Sequence, residues 1–81
     1  MNSVKTIVVG PYEENCYIFI NENSKEAVIL DPGAEPDLIA QVIEREEVTP
    51  KALLLTHGHG DHIGAVNEII KKYRGTTIID Y

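Results

Sequence analysis

The sequence predicts one α/β domain, a mixed β-sheet with two helices on one face, in the order β-β-β-α-β-α-β. Three observations carry this. Two continuous apolar runs, Ala27-Val28-Ile29-Leu30 and Ala52-Leu53-Leu54-Leu55, each precede a stretch whose apolar residues recur at helical spacing. Helices between successive strands imply parallel crossovers in a layered sheet. The chain has 81 residues, 43% of them hydrophobic and 25% charged. That suits a single small domain with one modest core, and it is too apolar for a disordered chain. Such a domain has an expected radius of gyration of roughly 12 Å.

Residues 4–9 (VKTIVV) are short and β-branched, the composition of a strand. Gly10 and Pro11 break it, and Tyr12-Glu13-Glu14-Asn15 reads as a loop. Residues 16–20 form the second strand, the polar residues 21–25 turn the chain, and residues 27–30 return as its hairpin partner, ending at Asp31-Pro32-Gly33. Pro36 opens a helix in the first-turn position that proline tolerates. Leu38, Ile39, Val42 and Ile43 make its apolar face, while Glu44, Arg45, Glu46 and Glu47 read as a solvated face. Thr49-Pro50 is expected to stop this helix, and residues 52–55 form the fourth strand, ending at Thr56. Ile63, Val66, Ile69, Ile70 and Tyr73 mark the second helix. Lys71, Lys72 and Arg74 complement its C-terminal dipole, and Gly75 fits its C-cap. Residues 76–79 are the last strand. No repeat, low-complexity segment or linker divides residues 1–81.

Charge and cysteine content exclude several classes. The net charge is −6, from 13 acidic residues against 7 basic ones, which argues against non-specific nucleic-acid binding. One Cys cannot form an internal disulfide, so a secreted disulfide scaffold is excluded. No apolar run approaches the roughly 18 residues of a membrane span, and Met1-Asn2-Ser3-Val4-Lys5 lacks the pattern of a signal peptide. The expectation is a cytoplasmic protein without membrane or nucleic-acid partners.

The chemistry concentrates in one segment. All three histidines lie in the pattern His57-x-His59-x-Asp61-His62, with Gly at both intervening positions. Imidazoles at i and i+2 of an extended segment point the same way and can chelate one cation. Asp61 and His62 offer an oxygen and a nitrogen to a second cation or to the same one. Asp61 also stands where it would N-cap the second helix, and both roles are compatible. A nitrogen/oxygen set of this kind suits zinc, iron or manganese. Three His and one Asp in one short Gly-bearing loop after a strand read as a metal or catalytic site rather than as structural residues.

Residues 56–64, Thr56-His57-Gly58-His59-Gly60-Asp61-His62-Ile63-Gly64, resemble the His-x-His-x-Asp-His-x-Gly signature of the metallo-β-lactamase-fold superfamily. Val28-Ile29-Leu30-Asp31-Pro32-Gly33 is similar to that family's strand-ending Asp motif. Gly10-Pro11-Tyr12-Glu13-Glu14-Asn15-Cys16-Tyr17 is similar to the opening of its glyoxalase II-like branch. The resemblance implies one half of the family's αββα sandwich. It implies that His57 and His59 match a first metal site, Asp61 and His62 a second, and that Asp31 orients the ligand shell. It further implies zinc-dependent hydrolysis of a thioester or ester, in which a metal ion lowers the pKa of a water to about 7 and Asp61 orients that water. Hydroxyacyl-glutathione thioesters are the candidate substrates. Tyr12 and Asn15 lie in a loop that borders the site in that family; turn roles suit them equally. Cys16 matches no ligand position and reads as a buried strand Cys. The family's further His, bridging Asp and last His have no match here: no His follows His62, and only Asp80 remains as a downstream carboxylate. A catalytic zinc takes about three protein ligands and keeps one position open, so the expected activity is incomplete in this chain. The alternative is a non-catalytic metal-binding half-domain.

Assembly is the last expectation. Residues 27–30 and 52–55 are apolar on both faces of the sheet, yet two helices can cover only one. A homodimer packed through the uncovered face is therefore expected, with the isologous contact that a twofold axis requires.

Overall fold

The structure is a computed structural model that describes residues 2–11, 13–56 and 63–80. Its elements are β1 (Asn2–Val9), β2 (Glu14–Asn21), β3 (Glu26–Leu30), α1 (Pro36–Glu46), β4 (Thr49–Leu55), α2 (Ile63–Lys72) and β5 (Thr77–Asp80). The element order and the mixed α/β class are as expected from the sequence. All five strands form one sheet in chain order, β1-β2-β3-β4-β5. β1–β2 and β2–β3 pair antiparallel, whereas β3–β4 and β4–β5, each bridged by a helix, pair parallel. The radius of gyration is 11.5 Å.

Local chemistry explains the joints. In the β2–β3 turn, Asn21 Oδ1 accepts from the backbone N–H groups of Asn23 (3.0 Å) and Ser24 (3.2 Å), an Asx-type turn. Pro36 is the first residue of α1, and Asp37 places an acid in its first turn. Gly75, at φ +94°, follows the last turn of α2, and Thr76 Oγ1 donates to the carbonyl of Tyr73 at 2.7 Å.

The core lies between one sheet face and the two helices. Ile39, Val42 and Ile43 of α1 and Val66 and Ile69 of α2 pack with Ile7, Val9, Cys16, Ile18, Ile20, Ala27, Ile29 and Leu53 of the strands. Residues 27–30 are thus buried on one face only: Ala27 and Ile29 are sealed, while Val28 on the other face is 36% exposed.

Two expectations change. Thr49-Pro50 does not stop α1; both residues begin β4. The stop lies earlier, at Glu47 in the left-handed conformation (φ 56°, ψ 45°). Its N–H donates to Glu44 O at 3.2 Å, and that of Val48 to Ile43 O at 3.3 Å. This is a Schellman-type ending, with Val48 and Ile43 both in the core cluster. Pro50 is tolerated inside the sheet because Thr49 turns its own N–H to β3, donating to Lys25 O at 2.8 Å, so Pro50 faces the other side, where Thr76 Oγ1 donates to its carbonyl at 3.2 Å and β5 pairing begins only at Ala52. Asn15, expected in a loop, belongs to β2 and pairs with Val8. Its side-chain amide donates to the Tyr17 hydroxyl at 3.1 Å.

Candidate metal centre

Because only β2 runs counter to the other strands, β1, β3, β4 and β5 all end at one edge of the sheet. The segments that leave this edge are the Gly10 turn after β1, the stretch after Asp31 and the segment after Thr56. Open α/β sheets place their ligand sites outside the carboxyl ends of parallel strands. The expected metal ligands His57, His59, Asp61 and His62 lie outside the described residues. The described chain reaches them at Thr56 and resumes at Ile63, the first residue of α2. Asp80, the downstream carboxylate, ends β5 opposite Leu55.

Asp31 is the site residue whose surroundings are described. It takes a left-handed conformation (φ 53°), and its N–H donates to Leu54 O at 2.9 Å, carrying the β3–β4 ladder one step past the strand. Its side chain turns onto Thr56. Oδ1 accepts the Thr56 backbone N–H at 2.7 Å, and Oδ2 accepts the Thr56 hydroxyl. Asp31 therefore fixes the residue immediately before His57. It serves as a turn former and as an anchor of the His-bearing segment at once.

A second carboxylate ties the neighbouring turn. Glu35 Oε2 accepts the N–H of Gly10 at 2.7 Å, joining the end of β1 to the start of α1. The Gly10 turn closes through the N–H of Glu13 to Gly10 O at 3.1 Å. Gly10 has φ +76°, and a Cβ there would lie 3.2 Å from the Ala34 Cβ, so the approach of turn and loop requires glycine. Tyr12, for which the family resemblance implies a loop bordering the site and a turn role suits equally, lies outside the described residues. Sequence reasoning assigned no role to Glu35 or to the Thr56 hydroxyl. A Glu beside a Pro at a helix start reads as a cap, and nothing local shows that it reaches Gly10.

Cys16 is fully buried, as expected of a strand Cys. Burial, assisted by the negative charge of Asp31, pushes its thiol up to about 12. It is a protonated core side chain, unsuited to bind a metal or act as a nucleophile.

A mixed sheet with a sequence segment of three His and one Asp directly after its parallel strand β4 points to the class of metal-dependent α/β domains. Residues 9–81 match the metallo-beta-lactamase superfamily, and the chain belongs to it. The chain is similar to hydroxyacylglutathione hydrolase GloC of Haemophilus influenzae, at 40% identity over 76 residues, 94% of this chain and 35% of that protein. Among solved structures it is similar to BLEG-1 B3 metallo-beta-lactamase (TM-score 0.79, 44% identity, 88% of this chain and 34% of that one). It is also similar to TTHA1623 in a di-iron-bound form (TM-score 0.74, 32% identity, 91% and 36%). The chain thus spans about a third of the length of the relatives it matches. The superfamily is metal-dependent and its members here include hydrolases. No helix among the described residues is long and apolar enough to cross a membrane.

Proposed function

We propose that this chain is the metal-binding part of a glyoxalase II-type hydrolase that cleaves a hydroxyacyl-glutathione thioester or a related small ester in the cytoplasm. One observation carries the reading: four donor side chains, His57, His59, Asp61 and His62, follow β4 directly, at the residue that Asp31 pins. Three imidazoles and one carboxylate form a nitrogen/oxygen donor set that suits zinc, the metal we name, as well as iron or manganese. A metal ion bound there supplies Lewis acidity, polarising a carbonyl and lowering the pKa of water to about 7. The chain's own contribution is to offer His57 and His59, two neutral imidazoles, as one ligand pair and Asp61 and His62, a carboxylate and an imidazole, as the other. Asp61 also orients the attacking water. Asp31 keeps the root of the segment in place through Thr56. The similarity to a hydroxyacylglutathione hydrolase and to a di-iron protein supports this assignment.

A second reading, metal binding without turnover, draws on the ligand count. Four donors fall short of about three per ion for two ions. Titration calorimetry of the purified chain with zinc, run beside the His57→Ala/His59→Ala double variant, tests both. The expected result is saturable binding that the double variant loses and a chelator reverses. Loss of thioester absorbance with hydroxyacyl-glutathione then separates the readings. Turnover that depends on added zinc supports the hydrolase, and binding without turnover supports the second reading. Absence of binding overturns both.

A further inference from the structure

We propose that Glu35 is a positioning residue for the candidate metal centre, which holds the Gly10 turn in fixed relation to Thr56 and so to the ligands that follow it. This role rests on the metal-binding reading of His57, His59, Asp61 and His62. Thr6, Tyr17, Leu30, Leu54 and Ile79 form one row across the five strands. β3 ends on that row, and β4 runs one residue past it. The β1–β2 hairpin continues for three more paired residues of β1, Ile7, Val8 and Val9, or about 10 Å. Its tip, the Gly10 turn, therefore projects beyond the edge at which Thr56 leads into His57. Residues 31–35 leave β3, which stands between β2 and β4, and they are tied to both neighbours. At one end Asp31 Oδ1 accepts the Thr56 N–H, and at the other Glu35 Oε2 accepts the Gly10 N–H, each at 2.7 Å. One five-residue span thus brackets the turn and the root of the ligand segment.

Glu35 gives up two local preferences to make its tie. It is the N-cap of α1, a position that normally takes an extended backbone and turns its side chain onto the first helical turn. It also precedes Pro36, and a residue before proline is driven to the extended region as well. Glu35 instead takes the left-handed conformation (φ 53°, ψ 60°) and makes no side-chain cap. Its carboxylate goes to Gly10, 25 residues away in sequence. A conformation that opposes its local rules persists only where the surroundings over-determine it, and such positions collect at functional sites. Ala34 adds a steric stop at the same point, since a Cβ on Gly10 would meet its Cβ at 3.2 Å. The turn is held from two sides, by contact and by a hydrogen bond.

Linkage gives the bracket its effect. A cation held by His57 and His59 restrains the chain at Thr56, and Asp31 passes that restraint to the span that ends at Glu35. Coupling between two sites is reciprocal, so if zinc steadies the Gly10 tie, the tie strengthens zinc binding by the same factor. A single exposed hydrogen bond limits that factor to about two- to fivefold.

Amide hydrogen exchange of the purified chain, followed by NMR with and without zinc, tests this beside zinc calorimetry. In the parent, zinc is expected to slow exchange of the Gly10 and Thr56 N–H groups at least about threefold. In Glu35→Ala the response at Gly10 is expected to vanish while that at Thr56 stays, and zinc affinity to fall about two- to fivefold. Glu35→Gln keeps a side-chain acceptor and is expected to restore both. Glu44→Ala removes an exposed tie to Lys72 and Tyr73 between the helices and is expected to leave both responses as in the parent. A parent that binds zinc with no change at Gly10 overturns the proposal, whether or not any variant folds. So does a parental response in Glu35→Ala, or its loss in Glu35→Gln. A parent that gives no zinc-binding heat overturns the metal-binding reading itself and this role with it, so the two failures are told apart.

Discussion

Asp31 and Thr56 meet through both carboxylate oxygens, one accepting the backbone N–H of Thr56 at 2.7 Å and the other its hydroxyl. The contact spans 25 residues of sequence and joins the ends of two parallel strands. A carboxylate that satisfies two donors of one residue fixes both its position and its rotation. The residue so fixed is the one that leads into His57.

Removing this clamp is expected to loosen the sheet edge. Asp31→Ala loses both acceptors and places a non-Gly, non-Asx residue at φ 53°. Its cost is expected to be about 1–2 kcal/mol of unfolding free energy. Asp31→Asn keeps one acceptor and suits the left-handed region, so it is expected to cost less than half as much. Urea unfolding measures both, and zinc calorimetry on the two variants is expected to rank their affinities in the same order.

Gly10 and Glu35 form the second tie, and they should behave as a coupled pair. Glu35→Ala removes the acceptor of an exposed hydrogen bond, for an expected loss of about 0.5–1 kcal/mol. Gly10→Ala adds a Cβ 3.2 Å from Ala34 at φ +76° and is expected to cost about 1–2 kcal/mol. A double-mutant cycle by urea unfolding is expected to give less than the sum, because the shifted Gly10 backbone no longer meets Glu35. Additivity within error would show that the bond contributes nothing.

Glu47 offers a gain in stability. It ends α1 in the left-handed conformation with its N–H already bonded. Glu47→Gly keeps that bond and removes the Cβ strain, so a stabilisation of about 0.5–1 kcal/mol is expected. The urea midpoint should rise at unchanged slope.

Cys16 imposes a limit on the alkaline side. Its folded-state pKa of about 12 lies above the ordinary thiol value of 9.0. The folded chain thus holds a proton that the unfolded chain releases. The stabilisation is complete below about pH 9 and is lost as pH rises from there toward 12, at up to about 1.4 kcal/mol per pH unit. Tyr73, raised by burial beside Glu44, adds in the same direction. Comparing pH 8 with pH 10, urea unfolding of the parent is expected to lose more stability than Cys16→Ala. In the native protein at pH 8 the thiol is expected to resist alkylation until denaturant is added.

Much of this protein is legible locally. Helical spacing marks Ile39, Val42 and Ile43 as core residues of α1 and Val66 and Ile69 as those of α2, and all five are buried. Pro36 and Gly75 bracket their helices where a missing N–H and a positive φ belong. The donor chemistry of His57, His59, Asp61 and His62 is likewise a property of residue type and spacing, and it points to a metal before any fold is known.

Other features have no local signature. Thr49-Pro50 reads as a helix stop, yet both enter β4, because Pro50 faces the β5 side at a point before β4–β5 pairing begins, where its missing N–H is not needed. Asn15 reads as loop, yet pairing with Val8 draws it into β2. The apolar character of residues 27–30 does not say which face is sealed; pairing does, burying Ile29 and leaving Val28 open. The two carboxylate ties, Glu35 to Gly10 and Asp31 to Thr56, each reach across 25 residues. Periodicity and propensity act over a few residues, so they determine which segments are strands and helices and which side chains bring chemistry. Which strand ends lie side by side depends on the register of the assembled sheet, and only the tertiary structure decides which carboxylate meets which loop.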